Sequence, residues 1–193
     1  RGEAGGGVAP LDLLGQARMW LSYAGEVEAR YAPDARDEDQ LAFLRDSAGF
    51  SNLLLVEQPN GSYADTTARQ FLFDAWHVLL LRALAQSSDA RIAGIAAKAV
   101  KEADYHVERS GDWVIRLGDG TEESHERMQA SIDALWMYTG EMFVPDATEL
   151  ELIAAGRRVS VPVEKELRVE RSLSSNGDRV ELGLELSWPA AGE

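Results

Sequence analysis

The stretch from Ala90 to Leu117, "ARIAGIAAKAVKEADYHVERSGDWVIRL", has no proline and returns Ala and Ile to one side every three or four residues. Only a long helix satisfies that spacing. Ser87, Ser88 and Asp89 supply cap chemistry ahead of it, and Gly118-Asp119-Gly120 stops it. Other segments repeat the pattern. "LDLLGQARMWLSYAGEVEAR" places Leu11, Leu14, Ala17, Leu21 and Ala24 at helical spacing and predicts an amphipathic helix from Leu11 to about Arg30. "DEDQLAFLRDS" predicts a short helix, and "QPNGS" at 58 to 62 a turn. Asp65 is the expected cap of a helix running to about Gln86, and Thr121, followed by Glu122 and Glu123, opens one through Trp136 to about Phe143. Helices in succession with short connections make the expected fold class all-α, an antiparallel helical bundle.

The pattern changes at both ends. Residues 1–10 are glycine-rich, residues 11–156 carry the helical period, and residues 157–193 alternate apolar and polar positions. In that tail Asn176-Gly177 separates two alternating runs, as the turn of a β-hairpin would. A hairpin without a covering layer is marginal in water, so disorder is the alternative reading of the same residues.

Composition narrows the function classes. With 193 residues the chain suits one well-buried core, and its 19 Lys and Arg against 33 Asp and Glu give a net charge of -14. Such a surface repels phosphate backbones and anionic lipid, so neither nucleic acid nor a membrane is an expected partner. The absence of cysteine removes disulfides, thiolate metal sites and thiol nucleophiles, and fits a reducing cytosol. No apolar run nears the roughly 20 residues a membrane span needs, and the N-terminus lacks a signal-peptide core. The expected localisation is cytoplasmic.

Within "FLFDAWHVLLL", Asp74 and His77 stand three apart, one turn along a helix. In four-helix carboxylate proteins a Glu and a His at this spacing, on two helices, with single Glu residues from the other two, hold two metal ions. On the next long helix Glu102 and His106 share a face with Ala99, Ala103 and Ser110. Asp74, His77, Glu102 and His106 are therefore expected to converge inside the bundle, as a metal site or as a hydrogen-bonded polar cluster. The spacing on the second helix departs from the metal pattern, because position 103 is Ala and Glu102 stands four residues before His106. The first helix offers only Asp12 beside Gln16, in a first turn expected to fray. Elsewhere, His125 is expected to be exposed, "GDG" lacks the spacing of a phosphate loop, and no Ser sits in a nucleophile elbow. Trp20, Trp76, Trp113 and Trp136 read as core residues.

Three segments, "LDLLGQARMWLSYAGEVE", "FSNLLLVEQPNGSYADTTARQFLFDAWH" and "AAKAVKEADYHVERSGDWVIRLGDGTEESHERMQ", resemble the C subunits of phenylacetyl-CoA epoxidases, over roughly residues 11 to 145. The resemblance implies a ferritin-like bundle in a multicomponent monooxygenase that turns phenylacetyl-CoA, O2 and reducing equivalents into a ring epoxide. It implies a non-catalytic structural subunit with no cofactor of its own. Its partners would be a related catalytic subunit that holds the di-iron centre and the other components, with self-association as an alternative. On the correspondence with a catalytic relative, Leu13, Gln16 and Ala103 stand where ligands are expected, so Asp74, His77, Glu102 and His106 become vestiges of a metal face. Lys98, on the flank of the helix that carries His106, is expected to supply the cation of a cluster with these four. The competing implication is a metal-binding oxidase in its own right, using Asp74, His77, Glu102 and His106. Family members carry a further helix before "LDLLGQAR", where ten glycine-rich residues stand here, and a helical ending where this chain alternates after about Arg158. Divergence and out-of-frame translation both account for such ends.

Overall fold

Four of the helices after the first begin where a side chain can accept the free amides of the opening turn. Asp37 caps α2 (Glu38–Phe43), Ser62 caps α4 (Tyr63–Leu84), Asp89 caps α5 (Ala90–Gly118) and Thr121 caps α6 (Glu122–Trp136). In this computed structural model, which describes residues 8–154, 167–169 and 184–186, these follow α1 (Val8–Glu28), with α3 (Leu54–Glu57) between α2 and α4 and α7 (Ala147–Ala154) after α6. Single 3-10 turns occupy Ser47–Gly49 and Gly140–Phe143. Asp65 is not the cap of α4. It sits in the first turn and bonds back to the Ser62 amide at 2.7 Å while Ser62 accepts the Asp65 amide, a reciprocal pair that starts the helix earlier. α6 ends at Trp136 instead of near Phe143, because the chain tightens into the 3-10 turn that starts at Gly140.

The centre of the molecule is the α4–α5 pair, joined by a short connection, with α6 against both and α1 laid along α5. Small side chains let α4 and α5 approach: Ala96, Ala99 and Ala103 meet Val78 and Leu81 in one cluster. A second cluster joins Phe71, Leu72 and Leu55 to Val114, Met128, Leu135 and Met142. Two bonds tie α4 to the C-terminal half of the bundle. The Ser131 hydroxyl donates to Asp65 at 2.6 Å, and the Trp76 indole donates to the Met142 carbonyl at 2.7 Å. The result is an all-α bundle of the ferritin-like type, with the core where the sequence period places it on α4, α5 and α6.

α1 turns its apolar stripe outward, with Leu11 69% and Leu14 67% exposed and Ala17 and Ala24 open to solvent. Buried instead are Gln16 and Tyr23, beside half-buried Trp20. The inner face is polar because the part of α5 it meets carries Asp89, Glu102 and His106, whose bonding capacity apolar side chains could not satisfy. Trp113 and Trp136 also lie at the surface, each 38% exposed, and do not belong to the core. Trp113 instead packs edge-on against Tyr63 with ring centres 5.7 Å apart.

Beyond the bundle, β1 (Leu167–Val169) pairs antiparallel with β2 (Leu184–Leu186) in the register Leu167 to Leu186, which agrees with the alternation read in the tail. Asn176-Gly177 and the glycine-rich start over residues 1–7 lie outside the described residues. Among the described residues no helix is long and apolar enough to cross a membrane.

Gly25 is buried where α1 meets the segment leading into α2, and a Cβ there would overlap the Arg36 carbonyl oxygen. Gly25→Ala should force that backbone away and cost about 1 to 3 kcal/mol, whereas Gly15→Ala, with open space at the same atom, should be neutral or slightly stabilising. Thermal melts of the two variants check this.

A polar seam between two helices as the candidate site

α1 and α5 face one another through side chains in an antiparallel register. From one end, Asp12 pairs with His106, Gln16 with Glu102, Met19 with Lys98 and Glu26 with Arg91. The spacing comes from the helices themselves: steps of three or four residues keep partners on facing sides. The Gln16 amide donates to Glu102 at 2.9 Å, and His106 Nε2 lies 3.3 Å from Asp12 Oδ2. Tyr23 donates to Asp89, so the carboxylate that caps α5 also holds α1; this bond raises the Tyr23 pKa and lowers that of Asp89.

Asp74, His77, Lys98, Glu102 and His106 do not form one bonded cluster. No hydrogen bond joins any two of them. Asp74 is 2% exposed and accepts from the Gln70 amide at 2.6 Å. Burial raises its pKa, opposed by hydrogen bonding from Ser110 and Gln70 and then by the charge of His106. His77 is half-buried, with its ring 5.3 Å from Phe73 and stacked 6.4 Å from Trp76. Burial, with a smaller contribution from His106, lowers its pKa to about 4. Lys98 is exposed and rests its ammonium against the Met19 thioether at 3.9 Å, so it supplies no interior cation. Asp12, expected to fray, is held by His106 in the body of a helix that starts at Val8. Its pairing was not legible in the sequence, because it depends on the register of α1 on α5.

A di-metal centre does not fit these residues. The Gln16 N–H points at the Glu102 oxygen, Ala103 is buried with no donor atom, and Leu13 faces outward. Among the described residues no three His, Asp or Glu side chains are grouped to hold a metal ion. His106 Nδ1 is buried without a partner, and a lone imidazole nitrogen is not a two-metal ligand set. What the seam can do is fix the rotation and register of α1 on α5 through charged and amide hydrogen bonds.

A separate open hollow of about 210 Å³ lies between the end of α5 and the start of α6, floored by Val114, Ile115, Met128 and Ile132. His125 at its edge is exposed, as expected, and its Nδ1 is 2.8 Å from the Gly118 carbonyl.

The bundle and its interior seam define the class, and comparison with known proteins supplies the family. The chain belongs to the phenylacetic acid catabolic protein family, whose model matches residues 9–190. It is similar to the C subunit of the 1,2-phenylacetyl-CoA epoxidase of Escherichia coli (strain K12), with 52% identity over 151 residues, 78% of this chain and 58% of that protein. The chain thus spans less than two thirds of the length of that relative.

Two titrations follow from the burial of this region. His77 is lowered in the folded state, so its contribution to stability is fully present above about pH 6.5 and is lost as pH falls toward 4, by at most about 3 kcal/mol. His77→Leu should flatten urea midpoints across that window. Asp74 has the opposite sign. Its raised pKa favours the fold while the carboxyl is protonated, and the benefit is lost as pH rises through the folded value. Asp74→Asn should therefore match or exceed the parent at neutral pH and lose that advantage in acid. Gln16→Ala, which strips Glu102 of its donor, should cost about 1 to 2 kcal/mol at neutral pH.

Proposed function

We propose that this chain is a non-catalytic structural subunit of a phenylacetyl-CoA epoxidase, pairing with a related catalytic subunit that holds the di-iron centre. The 52% identity to the C subunit of such an epoxidase carries the reading. The donor set supports it: Gln16 and Ala103 occupy the positions where the resemblance expects ligands, and the amide of Gln16 is committed to Glu102. In this role the chain takes no cofactor and touches no reacting atom. Its α1–α5 seam holds a bundle of fixed shape against which the catalytic bundle is positioned, in the cytoplasm where acyl-CoA substrates are met.

Co-expression with an epoxidase catalytic subunit tests the pairing. The two should co-elute, and epoxidation of phenylacetyl-CoA should require both. Elemental analysis tests the division of labour: iron should follow the catalytic subunit, and the purified chain should hold no stoichiometric iron or manganese. Two metal ions per chain in this protein alone would make it an oxidase and remove the proposal.

A further inference from the structure

From Met128 to Ala154 the sequence has no Lys, Arg or His, and five carboxylates: Asp133, Glu141, Asp146, Glu149 and Glu151. None of the five makes an ion pair among the described residues; Arg127, the last cation before the stretch, is paired with Glu123 at 2.6 Å. The same stretch, formed by the end of α6, the 3-10 turn and α7, exposes large apolar side chains. Met137 is 76% exposed, Val144 66%, Leu150 54% and Trp136 38%. Hydrogen bonds hold the stretch to the bundle. Trp76 bonds the Met142 carbonyl, the Glu141 carboxylate accepts the Leu54 amide, and the Asp146 and Glu149 carboxylates accept each other's backbone amides at 2.7 and 2.9 Å. Val144, Pro145 and Glu149 also border a small notch floored by Trp76 and Leu80.

We propose that this surface docks a partner protein through an apolar face rimmed by Lys and Arg, which deepens and rests on the subunit reading above. Charge complementarity selects the occupant. A second copy would set carboxylates against carboxylates, and anionic lipid or nucleic acid would be repelled. A Lys or Arg laid across the notch would place its methylene stem on Leu80 and Val144 and its charge at Glu149. Apolar contact supplies the attraction, and the acidic rim supplies orientation and rate.

The test titrates the full chain with a helical peptide built of Leu and Lys and with its Leu and Glu counterpart, and maps protection by hydrogen exchange. The Leu and Lys peptide should protect residues 133–151 and weaken about tenfold or more on raising salt from about 50 to about 500 mM. Asp133→Lys with Glu151→Lys should produce the same loss at low salt, and Met137→Asp should reduce binding by itself. The Glu peptide should not bind. Protection elsewhere, or indifference to charge reversal in variants whose melting is unchanged, overturns the docking surface. Exchange mapping on the complex with the catalytic subunit separates the two proposals. A complex that protects another face removes this surface and leaves the subunit reading. Absence of any complex, with the Lys peptide still captured here, removes the subunit reading and leaves the surface.

Discussion

The shape of this molecule depends on the polar register between α1 and α5. α4, α5 and α6 are consecutive, separated by short connections, and close an apolar core among themselves. α1 has no such arrangement: apart from Trp20, its inner face meets α5 through Asp12, Gln16 and Tyr23, groups that have value only at one rotation and one translation. A hydrophobic stripe tolerates a slide of a residue or two, but a hydrogen-bonded pair in low dielectric does not. Polar pairing thus fixes what apolar packing would leave loose, and contributes modest net stability in doing so.

In ferritin-like metal proteins a pair of ions joins facing helices through carboxylates and imidazoles from more than one helix. Here an amide–carboxylate bond and a carboxylate–imidazole pair span the same kind of gap. They link two helices where two metals would link four, and Asp74 and His77 on α4 are left to solve their burial separately. Asp74 does so by favouring its proton and taking the Gln70 amide, and His77 by favouring its neutral form beside Phe73 and Trp76.

The helices of the core were legible because burial and period coincide there: Ala96, Ala99 and Ala103 are both the spaced residues and the buried ones. α1 was legible as a helix and not as to its orientation, since spacing shows that a stripe exists and not which partner meets it. Leu11 and Leu14 face outward, and the inner face follows the bonding needs of Glu102 and His106. α3, with four residues, and α7, with eight, fall below the length at which period is informative. Site residues on one helix could be grouped by face, but pairing Asp12 with His106 required knowing the register across 94 positions of chain. Nothing within either helix carries that information.

That separation in sequence gives α1 a distinct place in folding. Its bonds to α5 and the α5 cap close loops of 65 to 94 residues, whereas α4, α5 and α6 meet through hairpin connections. Loop closure over such a span costs conformational entropy before any contact compensates it, so the three-helix unit can assemble first and α1 dock afterwards. The same separation would let α1 open apart from the core, releasing Gln16 and Asp12 to water while the cluster of Phe71, Leu72 and Met128 stays closed.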